Sequence, residues 1–160
     1  MLEGEYAQVD DTVIKYLEPS SGRVQHGYFW TIKRPGGDSA FQWATTRAAA
    51  VLAKIIPADF SGIIQCDGYS AYPAFAKQHG QPITLAACWA HARREFVEAS
   101  QTGAHKADAQ LIVRHIGHLY AVEARLRDKR ASPKLRTVTR AAENRLIIER
   151  IGAILSDWKK

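Results

Sequence analysis

The chain has 160 residues, 46% hydrophobic and 24% charged, which fits one globular domain with room for a helical appendix and excludes a disordered chain. No apolar run reaches the roughly 18–20 residues of a membrane span, and the first twelve residues carry acids where a secretory signal would carry lysines. The net charge of +6 is uneven: residues 1–80 hold 7 Lys and Arg against 8 Asp and Glu, while residues 81–160 hold 15 against 8, an asymmetry that suits either a polyanion partner or solvated arginine-rich helices.

Residues 6–17 are rich in β-branched and aromatic types and predict a strand. Glu18-Pro19-Ser20-Ser21-Gly22 is a turn cluster, and Val24 to Lys33 predicts a second strand, so the two form a hairpin. After the break at residues 34–39, Ala40 to Thr45 predicts a third strand. Thr46 reads as the N-cap of a helix from Arg47 to about Ile56, ended near Pro57. Ile63 to Cys66 fits a short buried strand whose end presents Asp67-Gly68-Tyr69. Residues 70–79 predict a helix stopped by Gly80, Ile83 to Cys88 a fifth strand, and Trp89 to Ala99 a further helix.

The rest is helical by pattern. Ile112, Ile116, Leu119, Val122 and Leu126 recur at spacings of three and four, which marks one helix face. Ser132-Pro133 is a start signal for a second long helix with Leu135, Val138, Ala142, Leu146, Ile151, Ile154 and Trp158 along it. A hairpin meander that feeds alternating strands and helices predicts an α/β fold with a mixed sheet.

Three places could carry chemistry. Asp10 and Asp11 sit midway along the first strand, where aspartate is unfavourable, and alternation sends them to opposite faces. One reading is a solvent-facing acid on an edge strand; the other is a carboxylate that needs a partner or a metal. Asp67 ends the fourth strand, where α/β sheets gather functional groups, and it equally suits an Asx turn. Two carboxylates on adjacent strands are hard oxygen donors suited to Mg²⁺ or Mn²⁺, the ions that assist phosphoryl transfer. In the segment 88–96, Trp89 and Arg93 share a helix face, as do His91 and Glu95; Arg93 and Arg94 suit phosphate, and Trp89 suits stacking on an unpaired base. The plainer reading puts Trp89 and Phe96 in a core and the arginines in water. Cys66 and Cys88 cannot build a disulfide framework, so a reducing cytoplasm is expected, and no zinc spacing, phosphate-binding loop or nucleophile elbow is present.

At Val9-Asp10-Asp11-Thr12, Gly62 to Tyr72 and Ala87 to Phe96 the sequence resembles the central region of bacterial transposases of the insertion-sequence sixty-six family, in order and spacing, over nearly the whole chain. The last two motifs are the specific ones. The first departs from the family's Asp-Glu-Thr-Pro, with Asp11 in place of Glu and Val13 in place of Pro. The resemblance implies a ribonuclease H-like mixed five-stranded sheet with flanking helices over residues 1–100, and an α-helical insertion or extension over 101–160. It implies a DDE-type site that holds Mg²⁺ or Mn²⁺, cuts element ends and joins them to target DNA. By position, Asp10 and Asp67 are its first two acids, as metal ligands and catalytic residues, while Trp89, His91, Arg93 and Arg94 lie in a DNA-contacting segment.

The family's glutamate belongs to a later motif that the sequence to Lys160 does not contain. The expectation is therefore a central piece truncated at both ends, inactive by itself in strand transfer. No small-molecule cofactor is expected. Truncation would leave apolar surface around Ile147, Ile151, Ile154 and Trp158, and with it a route to self-association. The alternative is a non-catalytic basic remnant that binds nucleic acid. A carboxylate-pair sugar hydrolase ranks below both, for want of an aromatic platform that the sequence places.

Overall fold

The computed structural model describes residues 6–102 and 104–158 and forms two compact units, residues 1–88 and 89–160. In the first, alternating apolar positions draw β1 (Tyr6–Leu17), β2 (Val24–Lys33) and β3 (Ser39–Ala44) into an antiparallel meander. The β1–β2 turn closes where the Glu18 carbonyl accepts from Gly22 N–H at 2.8 Å, with Gly22 at a φ of +62° that favours glycine.

The chain then alternates α1 (Ala49–Ile55), β4 (Gly62–Cys66), α2 (Ala71–Gln78) and β5 (Ile83–Ala87). Parallel pairing needs crossovers, and α1 and α2 supply them: β4 runs parallel to β1, with Ala7 opposite Ile64, and β5 runs parallel to β4. The strand order is β3-β2-β1-β4-β5. This five-stranded mixed sheet is consistent with the ribonuclease H-like sheet that the sequence led us to expect. One face carries the core: Ala7, Val9, Trp30, Ile32, Ile64 and Cys66 pack with Val51 and Leu52 of α1 and Tyr72 and Phe75 of α2. About 25 cal/mol per Å² of apolar surface removed from water is what holds these helices to the sheet.

The second unit holds α3 (Trp89–Ala99), α4 (Lys106–Asp128), α5 (Pro133–Thr139), a π-helical turn (Arg140–Asn144) and α6 (Arg145–Asp157). Its core is Ile112, Ile116 and Ile151, against which Trp89, Phe96, Ile147, Ile154 and Trp158 pack. Because the apolar residues of α3 join this cluster, the compact boundary falls after Cys88 and not near residue 100. Ser132 caps α5 as expected, accepting from Leu135 N–H at 3.3 Å, with Pro133 at the first position.

Two expectations need correction here. The single long helix after Ser132 is interrupted by the π turn, which is itself tied to α4: Arg140 makes two bonds to Glu123 at 2.6 and 2.7 Å, and Arg125 two to Glu143 at 2.6 Å. The apolar stripe splits there. Leu135, Val138 and Leu146 are exposed, whereas Ile151 is 3% exposed and Ile147, Ile154 and Trp158 are half-buried. Of the exposed apolar surface expected around Ile147, Ile151, Ile154 and Trp158, Ile151 is buried and the other three turn partly into the helical core, while Leu146 and Ile148 beside them are exposed.

Candidate active site

Alternation along β1 separates the two acids. Asp11 follows Ala7 and Val9 on the core face; Asp10 lies on the other face with Tyr6 and Gln8, whose side chains both donate to Gln65 Oε1. Asp10 is exposed, and its Oδ1 accepts from Asp11 N–H at 2.9 Å. The Asp11 side chain is only 2% exposed. A carboxylate that dry needs a counterion.

Arg47 supplies it. Thr46 does not cap a helix that includes Arg47: its hydroxyl accepts from Ala48 N–H at 3.2 Å, the helix starts at Ala49, and Arg47 is left in the connecting segment. From there its Nε donates to Asp11 Oδ1 at 2.7 Å and its Nη2 to Asp67 Oδ2 at 2.6 Å. Its guanidinium carbon lies 3.8 Å from the centre of the Tyr69 ring. Asp67 is fixed from the other side as well, since its Oδ1 accepts from Tyr69 N–H at 2.9 Å in an Asx turn.

Burial raises the Asp11 pKa above the usual carboxylate value; the Arg47 hydrogen bond and charge offset part of this, and the charges of Asp67 and Asp10 add to it. Burial works against the charge of Arg47, but its bonds to Asp11 and Asp67 prevail and raise its pKa. Trp30, opposite Asp11 in the ladder, and Tyr72, 6.2 Å away ring to ring, line the same face. Burial, then Asp67 and Asp11, pushes the Tyr72 phenol up, and its hydroxyl donates to the Val9 carbonyl at 3.3 Å. The Cys66 thiol is pushed up to about 11 by burial, then by Asp67 and Cys88.

The structure thus joins Asp67 to Asp11 through a shared partner, with Asp10 on the opposite face of β1. Arg47 and Tyr69 were missed in the sequence. The available signal was the demand itself: an acid on the apolar face of a strand requires a cation, and Arg47 is a base in the loop that follows β3. A row of aromatics also went unplaced. Phe29 and Phe41 stack at 5.5 Å, Trp43 lies over Gly27 and meets Tyr16 edge-on, and this row lies on the Asp10 face of the sheet. Of the other sequence candidates, Arg93 and Arg94 on α3 are exposed, while Trp89 and His91 are half-buried, with Trp89 spent in part on the helical core. Among the described residues no group of three or more His, Cys, Asp or Glu could hold a metal ion, and no helix is long and apolar enough to cross a membrane.

Comparison with known proteins decides the family. The profile described as "Transposase IS66 family" matches residues 1–160. The chain belongs to this transposase family. Two similar curated proteins come from Sinorhizobium fredii and are both uncharacterized. The protein y4qI is 34% identical over 145 residues, covering 82% of this chain and 26% of its own length. The protein y4jD is 29% identical over 163 residues, covering 94% of this chain and 31% of its own. The chain therefore spans about a quarter to a third of the length of these curated relatives. No solved structure matches it significantly.

Proposed function

We propose that this chain carries the metal-dependent catalytic region of a transposase, acting on DNA by end cleavage and strand transfer in the intact protein. Membership of the family supports the substrate. The observation that carries the chemistry is the parallel pairing of β1 with β4, which sets the Asp10–Asp11 pair and Asp67 on neighbouring strands.

Asp10 and Asp67 are the proposed catalytic and metal-holding pair, as the family motif implies, and their carboxylates are donors that suit a divalent ion. Asp10 leaves β1 on the face away from Arg47, so holding one ion between them requires the Asp10 carboxylate to turn toward Asp67. Carboxylate oxygens are the donors that Mg²⁺ and Mn²⁺ prefer, and Asp67 already faces a cation, the guanidinium of Arg47. When bound, such an ion supplies Lewis-acid polarisation of a phosphate. The chain's own residues do the rest: Tyr69 N–H and Arg47 orient the Asp67 carboxylate, and Asp11 anchors Arg47. Asp10 is exposed on the sheet face that also carries the stacked rings of Phe29 and Phe41, a surface that suits an unpaired base. Trp89, His91, Arg93 and Arg94 form the proposed DNA-contacting helix, with phosphate the target of the exposed arginines.

The test is nicking of supercoiled DNA with Mg²⁺ or Mn²⁺, together with salt-dependent DNA binding. Metal-dependent nicking abolished in Asp10→Ala and Asp67→Ala supports the proposal. DNA affinity that falls steeply with salt, is indifferent to both substitutions and comes with no nicking would replace it with a non-catalytic nucleic-acid-binding role.

A further inference from the structure

The reading of Asp67 as a metal-holding carboxylate uses Arg47 only to orient that carboxylate, yet Arg47 is held on three sides. Two of its nitrogens hold two different carboxylates, at 2.7 and 2.6 Å, and its plane rests on Tyr69. Asp11 cannot lose this partner cheaply, because a carboxylate with 2% of its side chain exposed has almost no water to turn to. One cation can replace it only by another.

We infer that Arg47 is the resident counterion of the Asp11–Asp67 pair, and that a divalent ion taken up by Asp67 must compete with it. This rests on the metal reading proposed above and adds the regulation of that site. Three observations lead to it. Asp67 Oδ1 is already held by Tyr69 N–H and Oδ2 by Arg47, so the oxygen that faces the pair is occupied by a positive group. A guanidinium in contact with Asp67 repels a second cation that approaches the same carboxylate, and partial burial leaves that repulsion poorly screened. Arg47 also sits in a connecting segment between β3 and α1, with its guanidinium stacked on the Tyr69 ring and anchored in no helix. Arg47 would then set the metal concentration at which the site loads.

The test is Mn²⁺ binding, followed by the loss of the free-ion EPR signal, in the full chain and in Arg47→Gln, Arg47→Lys and Asp67→Asn. Arg47→Gln should bind about tenfold tighter or more than the unsubstituted chain. Arg47→Lys, which keeps the charge but cannot fork onto both carboxylates, should fall between them, and Asp67→Asn should lose the site. If Asp67→Asn weakens Mn²⁺ binding while Arg47→Gln does not tighten it, the counterion role is overturned and the metal reading stands. If no form binds Mn²⁺, the metal reading fails and this inference falls with it. Arg47→Gln strips Asp11 of its partner and can unfold the chain, so a measurement on the unsubstituted protein runs beside it. The Arg47 Nε–H, assigned by its absence in Arg47→Lys, should exchange slowly with water without metal and faster at saturating Mg²⁺. Unchanged exchange while the Cys66–Gly68 amides shift with Mg²⁺ also overturns the inference.

Discussion

Arg47 donates from Nε to Asp11 Oδ1 at 2.7 Å, although the Asp11 side chain is almost wholly withdrawn from water. Removing either partner has unequal consequences. Arg47→Gln strands a buried carboxylate, and breaking a buried pair from one side costs about 3–5 kcal/mol. Asp11→Asn removes the charge that burial disfavours and leaves Arg47 its bond to Asp67, so it should cost within about 1 kcal/mol. The double substitution should recover most of the loss of Arg47→Gln. Urea unfolding of the four forms measures this cycle, and equal losses in the two single variants would contradict it.

Acid should reveal the same carboxylate. Burial first, and Asp67 and Asp10 after it, hold the folded Asp11 pKa above its reference of 3.8 despite Arg47. The folded chain therefore keeps the Asp11 proton at a pH where the unfolded chain has lost it. The stability from this group is complete below pH 3.8 and is lost as pH rises through the folded pKa. The stability of the unsubstituted chain relative to Asp11→Asn should accordingly fall as pH rises from below that reference toward neutrality. A difference that grows with pH over that range would reverse the sign and mean that Arg47 outweighs burial.

Much of this fold is legible in the sequence because its signals are local. The turn at Glu18–Gly22, the cap at Ser132 and the short apolar run before Asp67 each mark a boundary without reference to the rest of the chain. The site is legible in part. Asp67 is marked by its place at a strand end, and the alternation of β1 shows that only one of Asp10 and Asp11 can face the core. Which acid faces the core depends on the pairing of β1 with β2 and β4, a long-range choice. Arg47 escapes because Thr46 carries the look of an N-cap while the helix begins at Ala49. The π turn escapes for a related reason: Arg140 and Glu143 within it bond to Glu123 and Arg125 of α4, partners that lie far away in sequence.

Cysteine chemistry reports on β4. Cys66 is buried and its thiol is pushed up to about 11, whereas Cys88 is half-buried just past β5, tied to Cys66 by its backbone N–H at 3.0 Å from the Cys66 carbonyl. The thiolate is the nucleophile, so Cys66 should resist alkylation at mildly alkaline pH until the sheet opens. Iodoacetamide followed by peptide mapping should label Cys88 first, and Cys66 at a rate that rises with urea. Cys66 labelling as fast as Cys88 in the native chain would mean that β4 opens locally, well below the cost of global unfolding.

The arginines of α3 offer a salt-dependent signature. Arg93 and Arg94 are exposed and Trp89 is partly committed to the core, so binding to phosphate through the arginines is the contribution this helix can make most directly. Removing one arginine that neutralises a phosphate should lower the slope of log affinity against log salt by about 0.9 on duplex DNA. Arg93→Ala and Arg94→Ala should weaken binding about equally on any sequence, each with the slope reduced by that amount where the arginine meets the backbone. Trp89→Ala should act differently: it opens a hole against the cluster of Ile112, Ile116 and Ile151 and should lower the melting temperature before it changes the salt slope. Fluorescence anisotropy across a salt series, with thermal unfolding of the same variants, separates the two. An unchanged slope in both arginine variants would move the DNA-binding surface away from α3, toward the basic end of α4 at Arg125, Arg127, Lys129 and Arg130.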